Sequence, residues 1–146
     1  MCLGGPRWQQ RGFGDIGDQL NRLKAIAHLL LDTESHHKRE EALFPRLERH
    51  GVAGSPRIMR LEHEELRAKK RRLAELVEGA GSMGFTEFAR ELSEVGNYIA
   101  GALTDHMSKE DNILWCRLAD SRTEEWSQVL EGFEMIGYCC FTPGKA

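Results

Sequence analysis

At 146 residues, with 40% hydrophobic and 29% charged side chains, the chain is long enough for one buried core and too ordinary for a fibrous or disordered protein. A formal charge of -3 provides no global pull towards nucleic acid or an anionic membrane. The longest strictly apolar run, Leu29-Leu30-Leu31, cannot span a bilayer, and Met1-Cys2-Leu3-Gly4-Gly5-Pro6 lacks the features of a signal peptide, so a cytoplasmic location is expected.

Residues 1–14 carry four glycines and a proline and read as a disordered leader. From Asp15 to Arg49 the spacing predicts one long helix, with Ile26, Leu29, Thr33, His36, Glu40, Leu43 and Leu47 on its inner stripe and Gly51 stopping it. Ser55 as N-cap and Pro56 in the first turn open a second helix. Its stripe is Met59, His63, Leu66, Lys70, Leu73 and Val77, and it ends at Gly79. The glycine-rich segment that follows reads as a loop, and a third helix begins near Thr86. Phe88, Leu92, Val95, Ile99, Ala102, His106, Glu110 and Ile113 share one face of it. Ser121 and Glu124 suggest a capping box for a short last helix with Trp126, Val129, Leu130 and Phe133. No stretch reads as a strand pair. One domain is expected over residues 15–141, followed by a tail at 142–146.

Cys2, Cys116, Cys139 and Cys140 show no CxxC spacing, which argues against a disulfide framework and a four-cysteine zinc site. Reduced, partly buried thiols are the expected state.

Polar residues interrupt the buried stripes at His36 and Glu40, at His63, and at His106 and Glu110. Residues four apart lie on one helical face, so each His-x-x-x-Glu pair aims two donors at one point. Two buried carboxylates in a small core need compensation, and a cation between the helices supplies it. Imidazole with carboxylate suits iron, manganese or zinc, and the missing thiolates disfavour structural zinc. Taken singly, each element has a plainer reading as a core histidine or a surface ion pair. Their phase on three successive helices favours a shared site.

His37 and Glu41 form an alternative pair, but their stripe runs through Glu34 and Glu48 and reads as solvated, so His36 and Glu40 are preferred. His28 lies off the line, and His50 follows the helix. A zinc protease is excluded because Arg67 stands where HExxH needs its second histidine, and a ferritin-like centre lacks its repeated Glu-x-x-His. The run Lys69-Lys70-Arg71-Arg72 reads as a solvated face with Lys70 reaching outward, not as a nucleic-acid surface. No nucleophile–base pair or phosphate-cradling loop is visible, so an enzyme is not expected.

The runs His36-His37-Lys38-Arg39-Glu40-Glu41-Ala42-Leu43-Phe44-Pro45, Leu61-Glu62-His63-Glu64-Glu65-Leu66-Arg67 and His106-Met107-Ser108-Lys109-Glu110-Asp111-Asn112-Ile113-Leu114 resemble the helix motifs of hemerythrin-like, HHE cation-binding domains. The closing Glu125-Trp126 to Gly137-Tyr138 resembles the tail helix of a branch often found beside PAS sensory domains. The resemblance implies an all-α, up-down helical bundle: three long helices and a short C-terminal one, with the family's first helix absent. It also implies non-haem iron, one or two ions, with zinc or manganese as lesser alternatives. Glu40 and Glu110 match bridging carboxylates, and His36, His63 and His106 match terminal ligands. Binding or sensing of dioxygen, nitric oxide or iron follows from the same resemblance. Residues 1–17 hold no counterpart of the family's earlier ligating histidine, Met59 and Arg67 flank His63 where a second histidine often stands, and Trp115-Cys116 replaces a usual Phe-Pro. A missing helix leaves an apolar groove, which favours a homodimer. The rival expectation is a metal-free helical interaction or regulatory module.

Overall fold

A computed structural model describes residues 12–114 and 123–137. Their regular elements are all helical: a 3-10 turn at Phe13–Ile16, α1 (Gly17–Asp32), α2 (Glu34–Arg49), α3 (Gly54–Glu78), α4 (Phe85–Lys109), a π-helical turn at Glu110–Leu114 and α5 (Thr123–Ile136). The stripes therefore predict the class correctly. No helix among the described residues is long and apolar enough to cross a membrane.

The helix expected from Asp15 to Arg49 is divided at Thr33, where the backbone (φ -66°, ψ -2°) leaves the helical path before α2 resumes. Thr33 Oγ1 donates to the Leu30 carbonyl at 2.6 Å, a local bond that competes with the backbone ladder. The seam of α1 also differs from the expected one. Ile26 and Leu29 are 48% and 60% exposed. Ala27 is buried instead, with Leu20, Leu23 and Leu30 half-buried around it, because that phase meets Leu73, Leu76 and Val77 of α3 and Val95 and Ile99 of α4.

At its far end α2 packs Leu43, Phe44 and Leu47 against Met59 of α3 and Val129 and Phe133 of α5. Early residues of one helix thus meet late residues of the next, which makes α1–α2 and α3 antiparallel. Arg39 of α2 donates to the Gly137 carbonyl at the end of α5 and lies over the Phe133 ring. Two apolar clusters result, one at each end of the long helices. Between them, on α2, α3 and α4 with its π-helical turn, lie the ionisable residues of the stripes.

Gly51 ends α2 with φ 84°, its N–H bonding to the Glu48 carbonyl at 3.1 Å while the Val52 N–H reaches the Leu47 carbonyl at 2.9 Å. Val52 then packs back on the Leu47 cluster, completing a Schellman turn. A Cβ at Gly51 meets nothing within 4 Å. Gly51→Ala therefore carries conformational strain alone and should lower stability by about 1–2 kcal/mol in urea unfolding. An unchanged midpoint would show that the turn readily takes another form.

Ala53, not Ser55, is the N-cap of α3, and Ser55 and Pro56 lie in the first turn, where a missing proline N–H costs nothing. The helix predicted from Thr86 starts at Phe85, after Gly84 in extended geometry, and runs unbroken through Gly96 and Gly101. It gives way at Glu110 to the π-helical turn instead of continuing as one α-helix to Ile113. In α5 Val129 and Phe133 pack on the core, while Trp126 and Leu130 are exposed.

Phe13 packs edge-on against Phe85 and Phe88, with ring centres 5.3 and 5.1 Å apart, so the end of the expected leader belongs to the bundle. Residues 1–11 of that leader, the tail at 142–146, and Cys2, Trp115, Cys116, Ser121, Cys139 and Cys140 lie outside the described residues.

Candidate metal centre

The layer between the two apolar clusters is built by three rods. α2 contributes His36, His37 and Glu40, α3 contributes His63 and Lys70, and α4 with its π-helical turn contributes His106 and Glu110. A helix presents side chains every three or four residues to one side, so each rod can supply two or more groups at one level. The π-helical turn begins at Glu110 itself, and such turns recur at functional sites.

All five residues singled out by spacing meet here. Glu40 is the common partner. Its Oε2 lies 3.0 Å from His63 Nε2 and 3.4 Å from His106 Nε2, and its Oε1 lies 3.2 Å from His36 Nε2. Glu110 Oε1 stands 3.0 Å from His106 Nε2 and 3.5 Å from His36 Nε2. The Nε2 atoms of His63 and His106 are 3.1 Å apart. Two donor groups can be drawn: His37, Glu40, His63 and His106, and His36, Glu40 and Glu110, with the atoms of each within 4.8 Å of one another. Glu40 belongs to both.

His37 is the residue that the spacing argument set aside. It is 2% exposed, its ring centre 4.2 Å from that of His63. His36, preferred in its place, joins the site from the rim with its side chain 37% exposed. The missed signal was a step of seven: Leu23, Leu30, His37 and Phe44 continue one buried seam, whereas the comparison with Glu34, Glu41 and Glu48 followed the neighbouring row. Lys70 also reverses expectation. It is 3% exposed, and its Nζ donates to Thr33 Oγ1 at 2.7 Å and to His37 Nε2 at 2.9 Å. The Thr33 hydroxyl and the His37 ring give its ammonium internal partners. Of the other expected ring positions, His28 is exposed beside Glu78 and His50 is exposed at the end of α2.

An outer ring of charge holds the inner one. His63 Nδ1 donates to Glu41 at 2.8 Å, and Glu41 is paired with Arg67, which also grips Glu34. His106 Nδ1 donates to Glu62 at 3.0 Å, and Glu62 is paired with Lys109. These acceptors fix hydrogens on the outward nitrogens and aim the Nε2 atoms inward, the arrangement by which carboxylates orient metal-binding imidazoles.

Burial opposes a charge on His106, but Glu110, Glu40 and Glu62 outweigh it and raise its pKa to about 10. Glu110 and Glu40 raise His36 to about 9 against the cost of burial. Burial pushes Glu40 up, yet the rings of His106, His36, His37 and His63 around it hold it far below the carboxylate range. Burial lowers His37, with Lys70 and His63 adding to the effect and Glu40 opposing it. Protons on His36 and His106 thus balance the two buried carboxylates.

The donor set suits a divalent ion: imidazole nitrogens and carboxylate oxygens, without thiolate, match iron, manganese or zinc. Glu40 Oε1 is buried with the His36 ring 3.2 Å away but no well-aligned hydrogen bond, and His37 Nδ1 is buried without a partner among the described residues. A buried carboxylate oxygen left unbonded is costly, and a cation satisfies it. The model of the hemerythrin HHE cation-binding domain matches residues 10–132.

This chain belongs to that family.

No curated protein and no solved structure matches it. In this hemerythrin HHE domain the layer just described, which gathers His37 and Lys70 beside the expected residues, contains side chains that could hold a cation.

Proposed function

We propose that this domain binds non-haem iron as one or two ions and uses it to bind or sense dioxygen, nitric oxide or iron availability. The observation that carries the reading is Glu40, a buried carboxylate shared by two groups of donors. His63, His106 and Glu40 would hold one ion, and His36, Glu40 and Glu110 a second. Iron held there would supply redox chemistry and affinity for a small diatomic ligand. The protein's own work is to orient and to exclude water. Glu41 and Glu62 keep the Nε2 atoms of His63 and His106 directed inward. Phe44, fully buried, stacks on His63 with ring centres 5.9 Å apart and, with Leu66 beside it in sequence phase, makes a dry wall. A binding role without enzymatic turnover fits this set, and self-association through the exposed face of Ile26 and Leu29 belongs to the same proposal.

Metal analysis of the full chain purified after iron-replete expression tests the reading. Iron at more than about half an equivalent is expected, because a folded site of this donor count binds without further ordering. A His63→Ala/His106→Ala double variant should lose it.

The second reading is a metal-free helical module. What favours it is internal charge balance: His36, His106 and Lys70 supply positive charge beside Glu40 and Glu110. Absence of any metal after iron-replete expression would select it.

A further inference from the structure

We propose that Lys70 fixes His37 as its Nδ1–H tautomer, so that His37 acts in this centre as a buried hydrogen-bond donor and not as a metal ligand. A neutral imidazole carries one hydrogen, and the partner of one nitrogen decides where it sits. At His63 and His106 the Nδ1 partner is a carboxylate, an acceptor, so Nδ1 keeps its hydrogen and Nε2 is the nitrogen that an ion would take, once His106 has shed its second proton. At His37 the pattern is inverted. Its Nε2 faces an ammonium, which has hydrogens and no lone pair.

The ammonium fixes the direction of that contact, because it can only donate. Thr33 Oγ1 gives its own hydrogen to the Leu30 carbonyl and therefore accepts from Lys70 Nζ. Lys70 donates likewise to His37 Nε2, leaving the ring hydrogen on Nδ1. That Nδ1 is buried, lacks a partner and faces Glu40 Oε2 at 3.9 Å. Distance alone admits His37 to the donor group, but an N–H has no lone pair to give a metal. The Nδ1–H is then aimed at the shared carboxylate and at whatever anionic or oxygen-bearing group enters beside it.

This inference deepens the metal-binding reading and rests on it, but its first measurement needs no metal. Long-range nitrogen–proton correlation spectra of the full chain report the tautomer of each ring, with His37 assigned from its loss in His37→Ala. The Nδ1–H pattern is expected both metal-free and after zinc addition, zinc serving as a diamagnetic divalent probe. Loss of the His37 Nδ1 hydrogen on zinc addition, or an Nε2–H ring in the metal-free chain, would overturn the proposal. In Lys70→Met the ring should redistribute between tautomers and zinc affinity should rise about tenfold, the scale of an outer-shell change. That gain should vanish in Lys70→Met/His37→Ala. A Lys70→Met chain that is folded yet retains a pure Nδ1–H ring also overturns it. Failure to bind zinc or iron, with the Nδ1–H ring intact, defeats the metal reading and leaves the tautomer assignment standing.

Discussion

Replacing Glu40 with glutamine should cost the domain its metal and much of its stability together. The carboxylate belongs to both donor groups, so its loss removes a ligand and a negative charge from each. Metal affinity should fall by more than about 100-fold, beyond the range for an outer-shell partner. The metal-free protein suffers as well. His106 and His36 are raised to about 10 and about 9 with Glu40 among their partners, and a neutral amide cannot compensate their charge. Breaking a buried ion pair by removing one member costs about 3–5 kcal/mol. The lower end is expected here, because His106 keeps Glu110 and Glu62. Denaturant midpoints of both metal-free proteins at neutral pH measure this. A Glu40→Gln protein that retains full iron content would remove Glu40 from the centre and with it the case for a shared site.

Metal-free and metal-loaded protein should respond to alkali in opposite senses. In the folded chain His36 and His106 titrate at about 9 and about 10, above the value of about 6.5 for an unfolded histidine. A raised folded value means that folding is favoured by protonation. The contribution is complete below about pH 6.5 and is lost as pH climbs through the folded values. The metal-free protein should therefore weaken between about pH 7 and pH 10. Most of that loss belongs to the buried His106, since His36, with its side chain 37% exposed, is screened by solvent. Ligation requires these imidazoles to shed their protons, so apparent metal affinity should rise over the same interval, up to about tenfold per pH unit for each proton displaced. Thermal unfolding across that range, with and without zinc, checks both trends. Stability of the metal-free chain that rises from pH 7 to pH 10 would contradict the charge pattern.

How much of this was legible in the sequence varies by residue. The pairs His36–Glu40 and His106–Glu110 announce themselves because a helix brings residues four apart to one side, and the apolar neighbours Leu43, Leu47, Val95 and Ile99 mark that side as inner. His37 was hidden by its row of glutamates. A two-turn step from Leu30 to His37 to Phe44 was the better guide, since the buried seam of a long helix persists over sevens. Lys70 was misread because a lysine on an apolar stripe ordinarily reaches water. Its burial depends on the Thr33 hydroxyl and the His37 imidazole, which belong to another stretch of chain and appear in no local pattern. The exposure of Ile26 and Leu29 has the same origin: α1 chooses its phase by what α3 offers. The π-helical turn at Glu110 depends on backbone bonding that side-chain spacing does not encode.

Because the apolar clusters of the long helices are separated by ionisable groups, no continuous greasy spine runs the length of the domain. Cohesion across its waist depends on charge matching, by protons on imidazoles or by an ion in their place. The α5 end and the Phe13 end are thereby joined through whatever fills the middle. On the proposed metal-binding function, a change of occupant would alter the grip between them.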